Sequence, residues 1–184
     1  MEKARAAESR DGPRTAIIVV GLIAATALLP RLFSGVAATQ APLVGKPAPA
    51  FSLPVVANGA SGQSSVALTD LKGNAVILDF WATWCGPCRM EAPIVNGVAN
   101  RFRDKGVTVL GINTGERAGL GGPWARAHHI DYPIAFDGDG EAASVYGVSS
   151  MPTLVVISRT GQVIAVREGM TDADELEGLL KKAM

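Results

Sequence analysis

Apolar and polar positions divide the chain into stretches of different texture. Residues 1–14 are polar, with Lys3, Arg5, Arg10 and Arg14 outnumbering Glu2, Glu8 and Asp11. An unbroken low-polarity run follows, Thr15 to Leu29 (TAIIVVGLIAATALL), closed by Pro30 and Arg31 and prolonged by Leu32 and Phe33. It has no polar face to turn toward water, which argues against an ordinary surface helix. The run is slightly short of the roughly 20 residues that span a bilayer, and snorkelling of Arg31 lengthens it. Residues 15–33 are therefore expected to form an N-terminal membrane anchor, with 1–14 as a cytoplasmic basic tail. A cleavable signal peptide, cut after Val36-Ala37-Ala38, is the competing reading. Either way, everything past residue 40 is exported. From Ser34 the composition turns to Ala, Gly and Pro, a texture that continues to Ala50. Residues 34–43 read as a linker and 44–184 as the folded domain.

Within that domain, Phe51–Val56 and Ser64–Leu68 predict two short strands around a turn at 58–62. Ala75–Trp81 (AVILDFW) is nearly continuous apolar sequence, as expected of a strand buried on both faces. Gly86 to about Arg103 has helical spacing and stops at Gly106. Val107–Ile112 predicts another buried strand, and the glycine-rich stretch 114–122 a loop. Pro123–His129 predicts a short helix, Tyr132–Phe136 a strand, and Glu141–Tyr146 a further helix. Thr153–Ser158 and Gln162–Arg167 flank Arg159-Thr160-Gly161 as a hairpin. The last helix, 171–184, has Thr171 as its cap, acids in its first turn and Lys181-Lys182 at its end. Strands alternating with helices, closed by an antiparallel hairpin, give an α/β fold with a mixed sheet.

Charge changes little in this picture: 17 basic and 17 acidic residues give a net charge of zero. No basic field suggests nucleic acid. The cysteine count changes it greatly. The chain holds 2 cysteines, Cys85 and Cys88, and a disulfide between them closes almost no loop, so a structural staple explains them poorly. A closed zinc site needs about four ligands, and no second Cys/His cluster lies at ligand spacing. Redox chemistry is what such a CxxC pair in an α/β pattern indicates.

The run Asp79-Phe80-Trp81-Ala82-Thr83-Trp84-Cys85-Gly86-Pro87-Cys88 carries a buried strand straight into a helix. Cys85 falls at the helix N-terminus, where unpaired N–H groups and the dipole favour thiolate, lowering its pKa below the free value of about 8.5. Cys88, one turn deeper, is expected to be more buried and protonated until used. Cys85 is then the nucleophile and Cys88 the resolving thiol. Asp79, set among apolar residues, is a candidate proton shuttle whose pKa burial would raise. Pro93 falls inside the helix, where it is expected to remove a backbone bond and kink the axis. Pro152, in Ser150-Met151-Pro152-Thr153, precedes a buried strand; if cis, it turns the Met151 backbone toward Cys85, where an extended peptide can pair with it.

Taken together, WCGPC after an FWA strand, Pro93 eight residues past Cys85, and Met151-Pro152-Thr153 before the terminal hairpin resemble the thioredoxin superfamily. GKPAPAFSLP, LTDLKGNAVILDFWATWCGPCRMEAP and YPIAFDGDG narrow the resemblance to its TlpA/ResA-like extracytoplasmic members, over roughly Val44 to Lys182. The resemblance implies a thioredoxin-like three-layer α/β/α sandwich with a central mixed sheet behind the N-terminal helix, a cis Pro152, and the roles given above for Cys85, Cys88 and Asp79. It implies that Trp84, Gly86, Pro87 and Met151 contact substrate, and that no cofactor or metal is needed beyond the Cys85–Cys88 pair. It implies a monomer that takes electrons from a membrane dithiol donor and delivers them to exported disulfide-containing proteins, for example in cytochrome c maturation. Thioredoxins carry a Lys near where Gly111 falls here, so Asp79 is expected to lack that usual partner and to have its pKa pushed higher still.

Other conspicuous residues have plainer explanations. His128-His129 point to different sides of a helix and read as a solvated pair rather than metal ligands. Trp81 and Trp124 read as core, whereas Trp84 stands beside Cys85 on an exposed loop. Three function classes remain open: a disulfide reductase, toward which Gly86-Pro87 leans; a thiol oxidase; and a dithiol metal carrier. A peroxidase is disfavoured because no Thr-x-x-Cys type peroxide pocket precedes the strand.

Overall fold

The computed structural model describes residues 43–184; the expected tail and anchor lie outside that range. Among the described residues no helix is long and apolar enough to cross a membrane. The chain runs β1 (Ser52–Ala57), β2 (Ser65–Ala67), a 3-10 turn (Leu68–Leu71), β3 (Ala75–Trp81), α1 (Gly86–Phe102), a second 3-10 turn (Arg103–Lys105), β4 (Val107–Thr114), α2 (Gly121–Ala127), β5 (Ile134–Asp137), α3 (Glu141–Val145), β6 (Thr153–Ile157), β7 (Val163–Glu168) and α4 (Ala173–Ala183). The strands form one mixed sheet in the order β2-β1-β5-β4-β3-β6-β7. β3, β4 and β5 are parallel neighbours, and the outer pairings are antiparallel.

β3 lies in the middle of the sheet, and all of its residues are buried. Alternation along the strand sends Ala75, Ile77 and Trp81 to one face, where they pack with α1 and with Leu176, Leu179 and Leu180 of α4. Val76, Leu78 and Phe80 go to the other face, with Ala142 of α3 and Tyr146. Two covered faces make three layers, and they explain why β3 reads as a continuous apolar run. Asp137, fully buried, holds α3 in place by accepting from the Ala142 and Ala143 N–H groups at 3.1 and 2.9 Å. Residues 153–157 and 163–168 form the expected hairpin, with a register shift between Ile157 and Val156.

Several boundaries differ from the sequence expectation. The Pro-rich stretch 44–50, placed in the domain by the sequence, is tied to the terminal hairpin. Gly45 donates to Val163 (2.8 Å), Val163 to Lys46 (2.9 Å) and Ala48 to Gly161 (2.9 Å). Prolines are tolerated there because an edge segment need not donate at every residue. α2 begins at Gly121 rather than Pro123, shortening the loop, and β5 starts at Ile134, after Tyr132 and Pro133. The cap of α4 is Asp172, whose side chain accepts from the Glu175 N–H at 2.8 Å. Thr171, expected in that role, gives its N–H to Glu91 instead. α1 runs unbroken through Pro93. The bond Pro93 forgoes would have gone to the Arg89 carbonyl, and both residues are exposed.

Candidate active site

The four residues between β3 and α1, Ala82-Thr83-Trp84-Cys85, deliver Cys85 to the N-cap of α1. Its backbone is extended (φ −79°, ψ 105°) and its Sγ accepts from the Cys88 N–H at 3.2 Å. Sulfur thus takes the place that a Ser or Asp oxygen fills at ordinary helix starts. A thiolate there would meet unpaired N–H groups and the positive end of the helix dipole. Gly86 and Pro87 open the helix, where Pro forfeits no intrahelical bond. Cys85 and Cys88 are joined as a disulfide, with Cα atoms 5.3 Å apart. The greater depth expected for Cys88 is not found, since the two residues are 4 % and 3 % exposed. What distinguishes them is the hydrogen bond that Cys85 Sγ receives.

Asp79 is buried on central strand β3, opposite Gly111 of β4 and Leu154 of β6. It does have a partner: the Tyr132 hydroxyl donates to its Oδ2 at 2.8 Å. The Lys is absent as expected, and the volume it would enter beside Gly111 is already filled. A Cβ there would lie 2.6 Å from Ile134 Cδ1 and 3.1 Å from Tyr132 Cε2. Desolvation raises Asp79 to about 6, and the Tyr132 bond holds it from rising further. Burial, reinforced by Asp79, pushes the Tyr132 phenol well above its ordinary value.

A second carboxylate, Glu91, completes the arrangement. It sits on the buried stripe of α1 with Cys88, Ala92 and Val95, and is 1 % exposed. Its Oε1 accepts from the Thr171 N–H at 2.7 Å. Desolvation, followed by the nearby Asp79 charge, raises Glu91 to about 7, against the lowering effect of the Thr171 bond. The sequence expectation missed Glu91, although its signal was available: an acid three residues after Cys88 interrupts an apolar helical stripe. Tyr132 had no local signal, being 53 residues from Asp79.

The surface above the disulfide is apolar. Trp84 is 63 % exposed, and its Nε1 donates to the Gly115 carbonyl at 3.4 Å. Gly115 adopts a left-handed φ of +69°, and a Cβ on it would lie 3.5 Å from Met151 Cε and 3.8 Å from Trp84 Cζ2. Trp84 and Met151 therefore converge over Gly115. The Met151–Pro152 peptide is cis; Pro152 is buried and Met151 half-buried. The structure brings Trp84 and Met151 together over Gly115, while Gly86 and Pro87 lie exposed at the start of α1.

Elsewhere, His128 is not simply solvated. It is half-buried and stacks on Trp124 at 3.8 Å, and Trp124 leans on Trp81 at 4.6 Å. Among the described residues no group of three or more His, Cys, Asp or Glu side chains is placed to hold a metal.

Comparison with known proteins agrees with this geometry. Residues 44–166 match the AhpC/TSA family. A Bacillus thuringiensis protein named thiol-disulfide oxidoreductase ResA is 34% identical over 139 residues, covering 76% of this chain and 78% of its own length. A solved Chlorobium tepidum structure, named as a candidate thiol:disulfide interchange protein DsbE, superposes with a TM-score of 0.67 at 35% identity, covering 74% of this chain and 94% of its own. Another from Chlorobium tepidum TLS, named a thiol:disulfide interchange protein of the thioredoxin family, gives 0.65 at 29% identity, covering 79% and 99%. The chain belongs to the AhpC/TSA family and is a thiol–disulfide oxidoreductase with a thioredoxin-like fold.

Proposed function

We propose that this protein is a membrane-anchored, extracytoplasmic disulfide reductase acting on exported proteins, with Cys85 as nucleophile, Cys88 as resolving thiol and Asp79 with Glu91 as the proton-accepting pair. The observation that carries the reading is a cysteine sulfur capping α1, backed by two buried carboxylates raised to about 6 and about 7. In the reduced protein the Cys85 thiolate attacks one sulfur of a substrate disulfide, and the other sulfur leaves as thiolate. Cys88 then gives its proton to the carboxylate pair, and its sulfur attacks Cys85 Sγ. The mixed disulfide breaks, the second substrate thiolate leaves, and the Cys85–Cys88 disulfide remains. The substrate has gained two electrons, which a membrane dithiol donor returns to the protein.

Carboxyls poised near neutral pH suit proton transfer from a thiol. Trp84, Met151, Gly86 and Pro87 would bind the substrate, the exposed Trp84 ring giving apolar contact and the backbone beside cis Pro152 offering pairing to an extended peptide. The hydrophobic run 15–33, outside the described residues, supplies the anchor and the exported location. A peroxide-reducing site of the Thr-x-x-Cys kind would need a hydroxyl three residues before Cys85; that position is the buried Ala82.

The reading is tested by equilibrating the protein with a glutathione or dithiothreitol redox buffer and by following reduction of insulin. A potential near the reducing thioredoxins, about −270 mV, with catalysed insulin reduction, is expected. A potential near that of strong oxidants, about −120 mV, would assign a thiol oxidase instead. Cys88→Ser should accumulate a mixed disulfide on Cys85, detectable by mass spectrometry, and so capture the physiological substrate.

A further inference from the structure

The loop after β4 approaches the active-site turn through one side chain that the mechanism does not use. Both oxygens of Glu116 engage Thr83, two residues before Cys85: Oε1 accepts from the Thr83 N–H at 3.0 Å and Oε2 from its hydroxyl at 2.5 Å. The fully buried Asn113 holds the carboxylate from the other side, its Nδ2 donating to Glu116 Oε1 and, at 3.5 Å, to the Trp81 carbonyl. Trp81 and Asn113 are register partners at the ends of parallel β3 and β4. The clamp therefore spans the point where the two strands diverge into loops. Next to it, Gly115 lies under the junction of Trp84 and Met151 and receives the Trp84 Nε1–H.

The geometry points to Glu116 as a positioning residue that sets the protein-substrate groove by fastening the Gly115 backbone, and with it Trp84 and Met151, to the Cys85 turn. It rests on the Cys85–Cys88 exchange proposed above. Glu116 is half-buried, and charge-assisted bonds to one carboxylate are stronger and shorter than neutral ones. Its action is through hydrogen bonding. A Gln would keep Oε1 as acceptor for Thr83 and Asn113, while its amide donates to the Thr83 hydroxyl.

The test compares rate constants of the full-length, pre-reduced protein with insulin, which needs the groove, and with oxidised glutathione, a small disulfide that spans little of it. Glu116→Ala should lower the insulin-to-glutathione ratio about tenfold, the scale of one lost hydrogen bond. Thr83→Val, which deletes the hydroxyl with little change of shape, should lower the same ratio. The double variant should be no worse than Glu116→Ala, because the two act as one contact. Glu116→Gln should restore the ratio. An unchanged ratio in Glu116→Ala and Thr83→Val, an equal loss toward both disulfides, or failure of Gln to rescue would each overturn the inference. Wild-type protein inert toward insulin would instead overturn the reductase reading.

Discussion

Replacing Glu91 by Gln removes a buried charge while keeping the side chain's length and an oxygen for the Thr171 N–H. Glu91 is raised from 4.5 to about 7 in the folded protein, first by desolvation and then by Asp79. A carboxyl raised on folding binds more protons in the native than in the unfolded state between those two values. Its contribution to stability is intact below the unfolded pKa and is lost as pH rises through the folded one. At about 1.4 kcal/mol per pH unit, the loss reaches about 3 kcal/mol by about pH 8 and is close to zero at about pH 4. Glu91→Gln abolishes this dependence, so the oxidised variant should be about as stable as wild type at acid pH and about 2–3 kcal/mol more stable near pH 8. Urea unfolding across the pH series measures the difference. A gain that is the same at both ends, or below about 0.5 kcal/mol near pH 8, would refute the claim that a buried charge at Glu91 burdens the fold.

The Tyr132 hydroxyl lowers the Asp79 carboxyl, so Tyr132→Phe should lift Asp79 further above about 6; NMR titration of the Asp79 side-chain carbon in the variant checks the direction. Asp79→Asn should slow resolution of the mixed disulfide about tenfold or more near neutral pH, as loss of a general base does, while leaving the fold intact. Stopped-flow release of a fluorescent substrate thiol reads this, and an unchanged rate would remove Asp79 from proton transfer. Gly111→Ala places a methyl 2.6 Å from Ile134 Cδ1 and should cost about 1–3 kcal/mol of overpacking, seen as a lower urea midpoint.

The β3 strand, the α1 helix and the Cys85–Cys88 pair at their junction were legible because each has a local cause. A seven-residue apolar run has to be buried on both faces, and α1 shows its own period and its own stop. Boundaries went astray where a tertiary contact overrode the local preference. Thr171 gives its N–H to Glu91 instead of capping α4, and the cap falls to Asp172. Glu91 could have been found from its place in the apolar stripe. The partner of Asp79 could not, because Tyr132 stands before β5, which the sheet separates from β3 by β4.

What the sequence determined alone was the chemistry available: two sulfurs one helical turn apart, a proline before the last hairpin, and an acid inside a core strand. These follow from residue type and short-range spacing, which the backbone converts directly into position. The tertiary structure decided how that chemistry is tuned. Two carboxylates from β3 and α1 share one buried region, a tyrosine occupies the space beside Gly111, and Glu116 ties a distant loop to the Cys85 turn. Desolvation and hydrogen bonding depend on which surfaces meet, and surfaces far apart in the chain meet only when the sheet assembles.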